Sequence, residues 1–312
     1  MSARPVASAR PAASAESAAS GESAASAKSA MSSVDLPHGT VYYRDQGKGA
    51  PIVFLHGYLM GGSLWDLVVR QLDGEFRCVV PELPFGAHPA QLRPDADLTP
   101  AGVGRLVSDF LDALDLSGVT LVGNDSGAAI AQVVAARHAG RLSGLVLATG
   151  DAFDNYPPKE FRPLITAARA GGLTAVLSLL KARPARSLPT AYGWLSHGDP
   201  PHDLIDQWLK AYFADRGVRR DLRRLTSALP DDEFMIQIAA DLAGFTRPAL
   251  LAWAEDDKFF PVDHARRLAE ILPDARVELI HASRTWVMLD QPERTASLIA
   301  DLARVAAARP AA

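Results

Sequence analysis

The stretch "TLVGNDSGAAIA", residues 120 to 131, holds a carboxylate and a hydroxyl side by side where an apolar run gives way to a helical one. A sharp strand-to-helix turn requires small residues two before and two after its tip, because the tightened backbone packs against its neighbours there. Gly123 and Gly127 meet that requirement around Asp125, whereas a tip at Ser126 would put Asn124 and Ala128 in the small positions. Asp125 is therefore the side chain expected at the tip. A carboxylate held there can attack an electrophilic carbon or take a proton. The competing reading is an Asp that only caps a helix, although Asn or Ser would cap equally well without a strained turn.

Such a tip must be carried by a sheet. The runs "PIVFLHG" (51–57), "FRCVVPE" (76–82), "VTLVGN" (119–124), "LSGLVLATG" (142–150), "RPALLAWAE" (247–255) and "ARVELIH" (275–281) read as continuously apolar strands buried on both faces. Between them lie amphipathic helices. One carries Val103, Leu106, Val107, Phe110, Leu111 and Leu114 on one side, and the last carries Ile299, Leu302 and Val305. Strands alternating with helices predict an α/β fold, a mostly parallel sheet covered by helices on both faces. "HGTVYYRDQGKG" (38–49) is expected as an antiparallel edge hairpin. Residues 151–246 interrupt the alternation with helical patches and Pro-rich joints, and predict an inserted helical cap over the C-terminal ends of the strands, where open α/β sheets bind ligands. The core is then 34–150 and 247–312.

Residues 1–33, nearly all Ala and Ser, have too little apolar surface to offset the entropy of ordering and are expected to be a disordered tail; Met1 and Met31 both stand as starts. A chain of 312 residues with a formal charge of -4 has no basic excess to favour nucleic acid or an anionic membrane surface. No apolar run is long enough to span a bilayer, and a single cysteine, Cys78, suits a reducing, cytoplasmic compartment. No metal-spaced His/Cys/Asp set, phosphate loop or dinucleotide fingerprint is present, so a small-molecule substrate is expected without a metal or cofactor. The run "RGVRRDLRR" (216–224) reads as a solvated helix face before it reads as an anion site. Oligomeric state is not encoded.

Four segments in order, "FLHGY" (54–58), "GNDSG" (123–127), "WAEDDKFFP" (253–261) and "SRTWVMLDQPERTASLI" (283–299), resemble the α/β-hydrolase superfamily, and within it the aspartate-nucleophile branch of epoxide hydrolases and haloalkane dehalogenases. The resemblance covers roughly residues 38 to 306. It implies an α/β-hydrolase fold, Asp125 as nucleophile, the backbone N–H groups of Tyr58 and Ser126 as an oxyanion hole, and Asp257 as the supporting acid, with Asp151 after the preceding strand as the alternative. It also implies a histidine where this chain has Thr285, and threonine cannot serve as a base near neutral pH.

Among eight histidines, His88 and His281 follow strand ends and are the expected replacements by loop placement, while His56 precedes the oxyanion turn and is expected beside the substrate or as a loop-ordering residue. Phe153, Tyr156, Trp194 and Trp286 are expected to line an apolar pocket. The resemblance further implies that cap tyrosines, here Tyr156, Tyr192 and Tyr212, protonate an epoxide oxygen. It implies equally that a dehalogenase would carry tryptophan where Ser126 stands. Three functions stay open: hydrolysis of an epoxide or related electrophile through Asp125; lyase, isomerase or cyclisation chemistry with Asp125 as general base; and binding of a small molecule without turnover.

Overall fold

The computed structural model describes residues 31–230 and 232–309. Eight strands form one sheet in the order β1-β2-β4-β3-β5-β6-β7-β8. They are β1 (Ser32–Leu36), β2 (Gly39–Gln46), β3 (Pro51–Leu55), β4 (Arg77–Pro81), β5 (Val119–Asp125), β6 (Leu142–Gly150), β7 (Ala249–Ala254) and β8 (Ala275–Ile280). β1 and β2 run antiparallel at one edge, and β3 to β8 run parallel. This is an α/β-hydrolase fold. The central strands are buried throughout because helices cover both faces, as their continuous apolar runs require.

Three expectations shift. The edge hairpin is Ser32–Gln46 rather than 38–49, so Ser32 and Ser33, assigned to the tail, pair with Tyr43 and Tyr42. Backbone pairing needs no large side chain, which is why composition missed it; residues 1–30 of that tail lie outside the described residues. β8 is the opposite edge strand and only half-buried, not enclosed on both faces. Val305 is 48% exposed, since Leu298, Leu302, Ala303 and Ala306 form the buried stripe of its helix and Val305 lies off it.

The helices between the strands are α1 (Asp66–Leu72), α2 (Pro100–Ala113) and α3 (Ser126–Arg137). Thr99 accepts a hydrogen bond from the Gly102 N–H and Pro100 occupies the first turn, so α2 starts where capping chemistry places it. α3 is buried from Gly127 to Ala135, which explains its run of Ala and Val. Between β6 and β7 come α4 (Arg162–Arg169), α5 (Leu173–Leu177), α6 (Arg183–Arg186), α7 (His202–Ala214), α8 (Arg216–Ser227) and α9 (Asp232–Asp241), and after β7 come α10 (Val262–Ile271), α11 (Val287–Asp290) and α12 (Pro292–Ala308). The segment read as the cap is thus helical. Its last helix, α9, packs on α3 through Met235 and Ile238 against Ala129 and Val133.

The basic run on α8 is a solvated face only in part: Arg216 and Arg223 are exposed, but other arginines turn inward. Arg220 and Arg224 donate to the carbonyls of Leu92 and Ala96, and Asp221 accepts the Leu92 N–H at 2.6 Å. These bonds clamp α8 onto the loop after β4. Carbonyl partners more than a hundred residues away leave no trace in local charge pattern.

Candidate active site

β5 ends and α3 begins at Asp125, whose backbone has φ 54° and ψ -130°. A non-glycine residue in that region is strained and persists only where surroundings force it. Here they do. A Cβ on Gly123 would meet the Gly127 carbonyl oxygen at 2.4 Å, and one on Gly127 would meet the Leu55 carbonyl oxygen at 2.5 Å. The turn therefore closes tightly on itself and on the end of β3, and the β5–β6 ladder shifts register between Gly123 and Asp125, which pairs with Gly150.

Asp125 Oδ1 accepts the Ser126 N–H at 2.6 Å and the Tyr58 N–H at 3.2 Å. Both amides named from the sequence as an oxyanion hole thus meet at one carboxylate oxygen. Burial pushes the Asp125 carboxyl up, and the two amides oppose that shift. The low-dielectric surroundings are the larger effect.

The end of β6 brings a second carboxyl. Asp151 is 1% exposed, its Oδ1 has no hydrogen-bond partner, and its backbone carbonyl accepts from Gln132 Nε2 at 2.7 Å. Burial foremost, then the nearby charge of Asp125, holds Asp151 well above the usual carboxylate range. Of two close carboxyls the one with amide donors keeps the negative charge, so Asp125 is the ion and Asp151 the acid.

At the end of β7, Asp257 Oδ1 accepts the N–H groups of Phe259 and Phe260, both at 2.7 Å, and its Oδ2 accepts the Thr285 hydroxyl at 2.7 Å. Thr285 is fully buried, and its carbonyl accepts from Asn124 Nδ2 at 2.7 Å. Thr285 thus holds Asp257 by donating its hydroxyl and offers it no basic nitrogen.

A cavity of about 450 Å³ opens above these strand ends. Its walls are mostly apolar, including Met60, Leu164, Leu177 and Leu225, and its polar floor includes Asp125, Ser126 and Asp151. Tyr156 and Tyr192 also line it, the Tyr192 hydroxyl donating to the Leu59 carbonyl at 3.0 Å. Tyr212 is buried elsewhere, its hydroxyl sharing a hydrogen bond with Thr174.

Residues 52–298 match the family model described as "Alpha/beta hydrolase family". The chain belongs to that family. Similar curated relatives include non-heme chloroperoxidase CPO-A1 of Kitasatospora aureofaciens, 26% identical over 254 residues, covering 78% of this chain and 87% of that one. Haloalkane dehalogenase 2 of Mycobacterium bovis is 27% identical over 287 residues, covering 85% and 92%. Among solved structures, an alpha/beta hydrolase fold protein from Burkholderia ambifaria superposes with a TM-score of 0.72 at 19% identity, covering 86% and 97%. A thermophilic esterase from Thermogutta terrifontis superposes with a TM-score of 0.68 at 20% identity, covering 89% and 99%. These two likenesses speak to the fold.

In this alpha/beta hydrolase no histidine borders the cavity among the described residues. His281 lies on the surface, its side chain 77% exposed and paired with Glu255. His88 is buried with its Nε2 3.6 Å from Asp221, under α8. Neither reaches the site as expected, because β8 ends at the outer edge and the loop after β4 folds beneath the clamp of α8. His56 does not touch the cavity either: Nδ1 donates to the Gly57 carbonyl and Nε2 accepts the Leu83 N–H, which fixes the oxyanion turn. Burial pushes its imidazole down to about 4, consistent with a neutral ring in that role.

Of the expected pocket residues only Tyr156 is on the wall. Phe153 turns away, with the Arg267 guanidinium 3.9 Å over its ring. Trp194 is 38% exposed and packs on Phe259, and Trp286 is enclosed by Tyr192 and Trp208. Sequence reasoning missed Asn124 and Gln132, which pin the Thr285 and Asp151 backbones. Gln132 had a signal: it is the only uncharged polar residue within the apolar body of α3.

Proposed function

We propose that this protein is a hydrolase-family enzyme in which the Asp125 carboxylate attacks an electrophilic carbon, such as an epoxide carbon, of a small, largely apolar organic molecule. The observation that carries this reading is the Asp125 carboxylate itself. It lines the cavity on a strained turn, with Oδ1 tied by two amides. Oδ2 is then the oxygen available to a bound molecule, and charge developing on Oδ1 in a later tetrahedral intermediate meets preset donors. The dehalogenase among the relatives fits attack by a carboxylate. Ser126, however, offers no indole N–H to a departing halide, which favours a strained oxygen ring over a halide.

A second reading is favoured by two features: Thr285 stands against Asp257 in place of a base, and no imidazole lines the cavity among the described residues. Asp125 would then act as general base in a lyase, isomerase or cyclisation reaction. Intact-protein mass spectrometry after incubation with a panel of epoxides and activated esters tests the first reading, with Asp125→Asn and Asp125→Ala as controls. A covalent adduct, or product carrying oxygen from labelled water, is expected in wild type and absent from Asp125→Ala. Turnover in wild type without adduct or label would shift the assignment to the general-base reading. Undiminished turnover by Asp125→Ala would refute both.

A further inference from the structure

An ester on Asp125 requires two proton transfers, and no histidine lines the cavity to perform them among the described residues. The oxygen released from the ring must gain a proton, and the water that cleaves the ester must lose one. Among the groups on the cavity wall, Asp151 is placed for both. It follows Gly150, whose Cα lies so close to the turn that a Cβ there would sit 2.6 Å from the Asp125 carbonyl oxygen. Its side chain is 1% exposed, it borders the same cavity as Asp125, and its Oδ1 is buried without a partner. A polar atom left so in a protein interior calls for a reason, because desolvation is not offset.

We propose that Asp151 is the proton carrier of this reaction, giving its proton to the oxygen released when Asp125 opens an epoxide and, as the carboxylate so formed, taking a proton from the hydrolytic water. The inference rests on Asp125 being the nucleophile. In the first step the Asp125 Oδ2–carbon bond forms, the ring carbon–oxygen bond breaks, and the freed electron pair on oxygen takes the Asp151 proton. Asp125 is then a neutral ester and Asp151 carries the charge. In the second step water adds to Asp125 Cγ, with the oxyanion on Oδ1 facing the Tyr58 and Ser126 amides. The ester bond breaks, the alcohol leaves with one water hydrogen, and Asp151 regains the other. Both carboxyls return to their starting states, and no oxidant, metal or imidazole is consumed.

The alternation has a physical drive. Asp151 is held neutral by burial and by the Asp125 charge, so esterifying Asp125 removes that charge and makes Asp151 a stronger acid when its proton is wanted. The groups facing Asp151 are Asp125 from β5, Ser126 from α3 and Tyr156 from the helical segment; Glu160 also lines the cavity, and no Lys, Arg or His does among the described residues. Tyr156 is the rival donor. Burial pushes its phenol well above its ordinary value, which makes it a much weaker acid than a neutral carboxyl.

The test compares wild type, Asp151→Asn, Asp151→Ala, Tyr156→Phe and Asp125→Ala on two probes. Phenyl glycidyl ether releases an oxygen that needs a proton; hexyl methanesulfonate releases one that does not. Asp151→Asn should form the adduct with the glycidyl ether about 10²–10⁴-fold more slowly than wild type, and with the sulfonate within a few-fold of it. The sulfonate-derived ester should persist in Asp151→Asn and clear in wild type, where Asp151, no longer facing the Asp125 charge, first gives its proton to solvent and then acts as base. Formate should speed clearance in Asp151→Ala, which also shows that the variant is folded, and Tyr156→Phe should clear normally. Clearance by Asp151→Asn at the wild-type rate, or slow clearance in Tyr156→Phe alone, would overturn the role of Asp151 and leave Asp125 as nucleophile. Absence of any Asp125-dependent adduct or product with either probe would overturn the nucleophile and this inference together.

Discussion

Thr285→Val should separate stability from catalysis at the contact between Thr285 and Asp257. Asp257 has its Oδ1 on two amides and its Oδ2 on the Thr285 hydroxyl, yet burial still pushes its carboxyl up to about 6. A folded value near 6 against an ordinary 3.8 means that the native state binds the proton more tightly than the unfolded chain does. Stability linked to Asp257 is therefore present below 3.8 and lost as pH rises through 6, by about 3 kcal/mol at ~1.4 kcal/mol per pH unit. Valine matches threonine in shape but removes the donor on Oδ2. The ionised form then loses a charge-assisted hydrogen bond of about 1.5–3 kcal/mol, and the neutral form loses less. Urea unfolding should show the variant destabilised by that amount at pH 8 and by clearly less at pH 4.5. Turnover, or adduct formation, should stay within a few-fold of wild type, since neither Thr285 nor Asp257 lines the cavity. An equal stability loss at both pH values, or a hundredfold loss of activity with the fold intact, would refute the assignment of this pair to structure.

Glu82 offers a second pH-linked site. Its carboxylate accepts the Gly62 N–H, and burial pushes it up to about 7 from 4.5, so stability should fall by about 3 kcal/mol as pH rises across that window. Glu82→Gln should flatten the fall in thermal melts taken between pH 4.5 and 8; an unchanged slope would rule Glu82 out as its source. Gly127→Ala should misplace the turn, because its Cβ would lie 2.5 Å from the Leu55 carbonyl and 2.7 Å from that of His56, and backbone cannot yield as a flexible side chain can. A loss of about 1–3 kcal/mol or more is expected in unfolding experiments, together with loss of Asp125 reactivity, and wild-type behaviour in both would show that the turn is not sterically fixed.

The sheet and the turn at Asp125 were legible because they are written locally. Apolar runs of strand length with glycines at fixed offsets leave one solution, and the β5 and β6 expectations match the observed strands to within a residue. The cavity wall was not legible. Phe153, Trp194 and Trp286 were expected there for being large and near the site in sequence, but which way a ring turns depends on Arg267, Phe259 and Tyr192, contacts that only the folded chain assembles. The histidines failed for a related reason. Position after a strand says that a loop opens toward the rim, not whether the loop is free, and the Asp221 clamp beside His88 reaches Leu92 from 129 residues further on.

Three carboxyls stand at the ends of three neighbouring strands, and their surroundings rather than their chemistry divide the work. Asp257 has three donors and no exposure to the cavity, so it is an anchor. Asp125 has two donors on one oxygen and the cavity on its other side, so it keeps its charge and presents it. Asp151 has an oxygen without any donor and faces the cavity beside that charge, so it keeps its proton. Pairs of titratable groups pushed apart in this way are how one site holds an acid and a base at the same pH. The absence of an imidazole from the cavity wall among the described residues does not by itself silence such a site, because the function an imidazole would perform is to change protonation state between two steps. A carboxyl whose neighbour gains and loses charge during the reaction changes state for the same reason. Asp151 beside Asp125 has that neighbour, whereas Asp257, held by fixed amides and a threonine hydroxyl, does not.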